Sequence, residues 1–585
     1  MGEGRRRAGQ GEKGRGQERY AEAKSAIPRT RTVVQGQIPG LTMTGPALPL
    51  ALFALAIGGL RNPWALGAAS VFLWGAVAAA PEGLRRLPGA RLWIAWLLWS
   101  AVSAALSAEP LRGLAALSLR ASAFGLLTLA ASAEDGPTQW VRAVLGAALA
   151  IEAASWLVAV PGFDFVGVLY PYYNYTGAVA SVAAVLGFGL LLGRSKKDRL
   201  FGGAVCAISV VWILCASSRG SALASVVGIG VVLLRARRFR VLAAFAAAFA
   251  LTLALLFTAG SPLLKLDRPS SNLRPRLWSA ALSVAKDAPF FGQGPGQFDR
   301  GFLKHNFPAA PEEAPTRYGI VSKHAHSEPL QEAAETGFPG ALLLLAALLT
   351  TMTAAWRRSD LLDPRAAACA ALLAHACFDN LFALPALEWL FFAMLGSTAS
   401  GPPRDAPRFP AAALPFAGAA LAAFAWWPAW TVASARADGS EDALLRALAT
   451  APRDPDLWGE LAFRRAQEGR PREALDALRA AESLHPTHAL YPLMGAGIFQ
   501  AGRRWNAALL LSERVLALEP RAAQAKLMRC EALLEMGRRG EAAEQLKRFY
   551  AETDRSGNFK AMREYPRFIL GYDEDLLTRL EARLR

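Results

Sequence analysis

PALPLALFALAIGGLRNPWALGAASVFLWGAVAAA, residues 46–80, carries a single charge, Arg61. An apolar helix of about 20 residues, rising about 1.5 Å per residue, crosses a hydrocarbon core about 30 Å thick. Residues 46–60 and 63–80 therefore read as two successive candidate membrane spans. Comparable apolar runs recur near 92–108, 114–132, 140–161, 176–193, 201–217, 221–235, 240–259, 338–356, 366–384, 386–400 and 410–432, giving about thirteen. The 585-residue chain is 53% hydrophobic and 19% charged, too oily for a soluble protein of this size. The expected fold class is all-α, a polytopic bundle of about 12–13 spans over residues 46–432.

The formal charge of +17 does not point to nucleic acid, because the basic residues cluster beside the spans and form no stripe with interleaved aromatics. Arg85 with Arg86, RSKKDR at 194–199, RARRFR at 235–240 and RRSDLLDPR at 357–365 alternate with connections poor in Lys and Arg. That alternation is what the positive-inside rule requires. It assigns the N-terminus to the cytoplasm and puts outside both the loop at 260–337 and everything after about 433, in the periplasm of a bacterial inner membrane. Residues 1–45, rich in Arg, Lys and Gly, are too long and polar for a cleavable signal and read as a disordered basic cytoplasmic tail. Cys206, Cys215, Cys369, Cys377 and Cys530 form no CxxC pair, which argues against a disulfide framework or a zinc ribbon.

Pro452, Pro486 and Pro520 stand 34 residues apart, two of them closing ESLHP and LALEP. Gly469, Gly502 and Gly537 punctuate the intervening helical stretches. A 34-residue period of helix pairs is the pattern of tetratricopeptide repeats, which stack into an α-solenoid and bind partner proteins along a concave face. This assigns residues 438–552 to tetratricopeptide-like repeats and 553–585 to a helical cap.

The one long polar insertion among the spans, residues 260–337, is where chemistry is expected, since rigid scaffolds carry reactive groups on loops. It holds RPRLW at 274–278, GQGPGQF at 292–298 and KHAHSEPLQEAAETGFPG at 323–340; SSRGS at 217–221 follows the seventh span. Arg219, Arg274 and Arg276 would meet at the outer membrane–water boundary, where guanidinium forks suit the oxygens of a lipid diphosphate. His326 is the candidate general base, because an imidazole is largely neutral near pH 7 and can accept a proton from an attacking hydroxyl. Glu335, nine residues on, is the candidate to orient the histidine or a sugar. Together these groups suit glycosyl transfer to an alcohol.

Each residue also has a structural reading. An arginine near a span end is commonly a snorkelling anchor. His305, His324 and His326 lack metal-ligand spacing, so neither metal nor cofactor is expected. GQGPGQF lacks the Lys-Ser/Thr of a phosphate loop, so its glycines read as turns. Arg120, costly in lipid, faces the bundle interior or a span end. His375 and Asp379, one turn apart in AHACFDNLF at 374–382, fit a hydrogen-bonded pair in the bundle as well as a place in the site.

Over residues 46–400 these elements resemble the O-antigen ligase and polymerase superfamily of bacterial membrane glycosyltransferases. The resemblance rests on SRG at 218–220, Arg276-Leu277-Trp278, the glycine turn at 292–296 and H-S-x-x-L-x-x-x-x-E-x-G from His326 to Gly337, with YYNYTG at 172–177 a weaker match. It implies metal-independent, inverting transfer of a glycan from an undecaprenyl-diphosphate carrier, with Arg219 and Arg276 on the diphosphate and His326 as base. The acceptor would be lipid A core for a ligase, a growing glycan for a polymerase, or a secreted protein for an O-oligosaccharyltransferase; ligase fits the Arg-to-His loop best. One departure is His326-Ser327, where ligases often carry His-Asn. The competing class is a membrane-anchored scaffold or a transporter lined by Arg120, His375 and Asp379, but the spans are many and show no internal repeat.

Overall fold

The computed structural model describes residues 63–79, 82–132, 137–158, 173–216, 218–260, 273–302, 304–305, 307, 322–361, 363–402, 413–486, 488–553 and 570–585. Every regular element among them is helical. The expected tail at 1–45 and the span at 46–60 lie outside the described residues.

The first helices are α1 (Pro63–Ala79), α2 (Gly83–Arg86), α3 (Ala90–Leu106), α4 (Pro110–Ser132), α5 (Pro137–Val158), α6 (Tyr173–Leu191), α7 (Lys196–Ala216), α8 (Arg219–Arg235) and α9 (Phe239–Thr258). After them come α10 (Leu273–Asp287), α11 (Phe298–Phe302), α12 (Glu328–Arg358), α13 (Arg365–Ala376), a 3-10 turn (Leu381–Ala383), α14 (Pro385–Ala399) and α15 (Ala413–Asp438). Six described helices are long and apolar enough to cross a membrane: Pro110–Ser132, Asn174–Leu191, Lys196–Ala216, Phe239–Thr258, Glu328–Arg358 and Pro415–Asp438. The chain is a multi-pass helical membrane protein.

One of the shorter apolar helices is interior. The 15-residue α14 is buried along nearly its whole length, from Pro385 to Gly396, packed on α4, α12 and α13. A helix that is apolar all round can be stable only in that position or in lipid. At the opposite extreme, α9 buries none of its residues against the rest of the chain, leaving Phe239, Leu251 and Phe257 for the bilayer.

The described residues between 260 and 337 are largely helical. They contain α10 and α11, and α12 begins at Glu328, ten residues ahead of the expected span at 338. The early start is missed by hydropathy because its first turns carry Glu328, Glu332 and Glu335, the last two of which pair with Arg120. Near its middle α12 breaks at Gly337 (φ 75°, ψ 174°), two residues before Pro339. Proline has no N–H and its ring excludes the carbonyl four residues back, here that of Glu335. The released groups are taken up by the glycine turn: Gln293 N donates to Ala334 O, Gly294 N to Glu335 O, and Phe338 N to Pro289 O, each at 2.9 Å. Gly292 (φ 68°) must be glycine, since a β-carbon there would lie 2.3 Å from the Glu335 carbonyl.

The C-terminal helices are α16 (Glu441–Thr450), then the pairs α17 (Pro455–Gln467) with α18 (Pro471–Leu484), α19 (Leu490–Ala501) with α20 (Trp505–Leu518), and α21 (Ala523–Glu535) with α22 (Arg539–Glu552), closed by α23 (Glu574–Leu584). The second helix of each pair opens at Pro471, Trp505 and Arg539, 34 residues apart. Gly469 and Gly537 take left-handed conformations in the turns of the first and third pairs; in the second pair Arg503, not Gly502, is the left-handed residue. Ser440 and Asp454 cap α16 and α17 through their side-chain oxygens. The first pair lies against the membrane domain, where Arg300 pairs with Glu109 at 2.7 Å and donates to the carbonyl of Leu484.

Candidate functional site

The candidate residues come from five separate elements that meet where α6, α8, α10, α12 and the turn after α13 converge. Helix α10 carries Arg274, Arg276 and Trp278, and the indole of Trp278 donates to the carbonyl of His326 at 3.0 Å. His326 holds a left-handed backbone (φ 50°), uncommon outside glycine though histidine is among the residues that tolerate it. Its ring reaches the turn after α13, with Nδ1 3.0 Å from Oδ1 of Asp379. An ionised carboxylate only accepts, so Nδ1 carries the proton and Nε2 is left with its lone pair.

Asp379 is the hub. Its side chain is fully buried, and it accepts from Arg274 Nη2 at 3.0 Å, from Asn174 Nδ2 at 2.5 Å and from the Asn380 amide at 3.0 Å, besides the histidine. Asn174 in turn accepts from Ser218 Oγ at 3.0 Å, and Ser218 is the N-cap of α8, the residue before Arg219. One chain of hydrogen bonds thus runs from the SRG segment through Asn174 and Asp379 to His326 and Arg274. His375 is buried beside it: a β-carbon at Gly220 would lie 2.4 Å from its Nε2, and neither ring nitrogen has a hydrogen-bond partner among the described residues. Arg276 sits over the ring of Phe307, 4.4 Å from its centroid, while Arg219 is exposed at the start of α8. His324 lies close by; burial, with the His326 ring adding to it, pushes it down to about 4, which keeps it neutral at pH 7.

Glu335 does not meet His326. Its carboxylate pairs with Arg120 at 2.9 Å and accepts from Gln331 at 2.6 Å. Arg120 also binds Glu332 at 2.7 Å, and Glu332 accepts from Trp96 Nε1 at 2.8 Å and Thr336 Oγ1 at 2.8 Å. Position along the chain explains the difference: His326 precedes α12 and points across to Asp379, whereas Glu335 lies about two turns along the helix and faces α4. Arg120 is therefore the bundle-facing partner of two glutamates, and together with the glycine turn it fixes the angle at which α12 leaves the site. Glu328, the first residue of α12, accepts from the Phe382 amide at 2.7 Å and so ties the helix start to the turn that bears Asp379.

Sequence reasoning left Asp379 between a bundle pair with His375 and a place in the site, and gave Asn174 no role; the structure pairs Asp379 with His326, Arg274 and Asn174. The pairings that define them span 53 residues, His326 to Asp379, and 205 residues, Asn174 to Asp379, and no local spacing signals either.

Chemically the arrangement presents a histidine oriented by a buried carboxylate that it shares with the guanidinium of Arg274. Residues 204–345, which include the SRG segment, both α10 arginines, the glycine turn, His326 and Glu335, match the family model described as O-antigen ligase. No curated protein matches the chain.

Proposed function

We propose that this multi-pass bacterial membrane protein of the O-antigen ligase superfamily transfers a glycan from an undecaprenyl-diphosphate carrier to an acceptor hydroxyl at the periplasmic face, with lipid A core as the favoured acceptor. The observation that carries the reading is the His326–Asp379 contact, which leaves Nε2 as a base beside arginines suited to a diphosphate.

In this reading the acceptor oxygen attacks the anomeric carbon as its proton passes to His326 Nε2. The bond from that carbon to the diphosphate oxygen breaks, and undecaprenyl diphosphate leaves with the electron pair, inverting the anomeric centre. Asp379 stabilises the imidazolium that forms, as the carboxylate does in other His–Asp pairs. Arg219 and Arg276 meet the negative charge that develops on the leaving diphosphate, a role that needs no metal ion. Arg274 is shared between Asp379 and the donor. Glu335 is a positioning residue that acts through Arg120. The 34-residue helix pairs support reading 438–552 as tetratricopeptide-like repeats, which would bring a protein partner to the site.

The test is transfer from a synthetic undecaprenyl-diphosphate donor by purified protein, with chelator present, offering lipid A core, free glycan and peptide acceptors in parallel. Product on lipid A core that disappears in His326→Ala and Arg276→Ala supports the ligase reading. Product only on glycan or peptide replaces it with polymerase or protein O-oligosaccharyltransferase activity, and undiminished product in both variants overturns the assigned site.

A further inference from the structure

Where the first repeat meets the membrane domain, the chain forms a half-open cavity of about 430 Å³, within the range of small-ligand sites. Leu111 and Ala115 of α4, Ala429 and Val432 of α15, and Ala451 of the turn after α16 give it apolar walls, and Arg453 lies at the same turn. None of Arg219, Arg274, Arg276, His326 or Asp379 lines it.

Two observations set the depth of this cavity. It adjoins the first turns of one candidate span, Pro110–Ser132, and the last turns of another, Pro415–Asp438. On α15 its wall is bracketed by Trp427 and Trp430, whose rings lie 5.1 Å apart, with Trp427 60% exposed and Phe424 63% exposed. Exposed tryptophans at a span end mark the membrane–water interface, the level of lipid headgroups.

The charges around it are matched unevenly. Arg112 pairs with Asp299 at 2.9 Å, Arg436 with Asp454 and Glu460, and Glu109 with Arg300. Arg453 touches only the Ala108 carbonyl, at 3.5 Å, and has no ion pair among the described residues. An apolar chamber at headgroup depth with one unmatched guanidinium is complementary to a single acyl chain below a phosphate.

We infer that this junction is a binding site for an anionic membrane phospholipid, whose acyl chain fills the cavity and whose phosphate engages Arg453. The lipid seals the seam between the repeats and the membrane helices. This site is separate from the proposed transfer site and does not depend on that reading.

Native mass spectrometry of the full-length protein tests it, with phosphatidylglycerol, phosphatidylcholine of the same acyl chains, and undecaprenyl phosphate as probes. One phosphatidylglycerol per chain should be retained, about fivefold more tightly than phosphatidylcholine, whose quaternary ammonium offsets the phosphate charge that Arg453 meets. Arg453→Gln should erase that preference, and Ala429→Trp should weaken retention of both phospholipids by about tenfold or more by filling the chamber. Ala115→Leu fills it from the opposite wall, so a folding defect in either variant leaves the other to decide. Unchanged retention in a folded cavity-filling variant, equal binding of the two phospholipids to the parent, or displacement of phosphatidylglycerol by undecaprenyl phosphate would overturn the inference.

Discussion

Replacing Asp379 with asparagine exchanges one carboxylate oxygen for an NH₂ and should disable the proposed base without dismantling the site. Four groups donate to this carboxylate: His326 Nδ1 and the Asn380 amide at Oδ1, Arg274 and Asn174 at Oδ2. An asparagine offers one oxygen and one NH₂, so one of these pairs must face a donor. The cationic Arg274 claims the oxygen, which turns the NH₂ toward His326. Nδ1 must then accept, the ring proton moves to Nε2, and the atom that should take the acceptor's proton is already protonated. Even in the other orientation the imidazolium loses its counter-charge. A fall in kcat of about 10²- to 10⁴-fold follows, equivalent to about 3–5.5 kcal/mol of transition-state stabilisation. The donor's KM should move little, because Arg219 and Arg276 are untouched. The assay is initial-rate transfer at saturating acceptor over a range of donor concentrations, with thermal unfolding of the same preparations. A kcat within about threefold of the parent in a folded Asp379→Asn protein would refute the role assigned to the pair.

Other substitutions probe the scaffold. Gly292→Ala drives a β-carbon into the Glu335 carbonyl and should cost about 2–4 kcal/mol, seen as a lower unfolding temperature; an unchanged one would show that the turn yields freely. Arg120→Met strands Glu332 and Glu335 without a counter-charge and should cost about 3–5 kcal/mol, whereas Arg120→Lys should recover part of the loss; equal stability of all three proteins would contradict the pairing. In the repeats, burial lifts Glu519 from 4.5 to about 7. The unfolded chain then releases this proton first, so stability falls as pH rises through about 4.5 to 7, by about 1–3 kcal/mol in all. Glu519→Gln should therefore raise the unfolding temperature at pH 8 and scarcely at pH 4; an equal shift at both would remove the carboxyl as the cause.

The sequence was most informative where a property is summed along the chain. Apolar runs announce α4, α6, α7 and α9, and the 34-residue period announces the helix pairs, because hydropathy and periodicity are local quantities. The glycines of GQGPGQF were readable as turns, but not what they turn against, since that depends on a break in α12 some forty residues later. Arg120 was readable as bundle-facing; its partners Glu332 and Glu335 sit more than two hundred residues away. Glu335 was read as orienting either His326 or a sugar, and its carboxylate pairs with Arg120 and Gln331. Nine residues that leave a left-handed turn and enter a helix change direction, and proximity along the chain gives no guide to which neighbour a carboxylate meets.

The broken helix α12 has a consequence for how this region opens. At Gly337 the ladder that a straight helix would complete by itself is completed by residues 289–294. The turn and the kink therefore share their protection from solvent, and neither can fray alone without stranding the other's amides. Deuterium should enter Gln293, Gly294 and Phe338 at a common rate, as one cooperative unit inside an otherwise independent span.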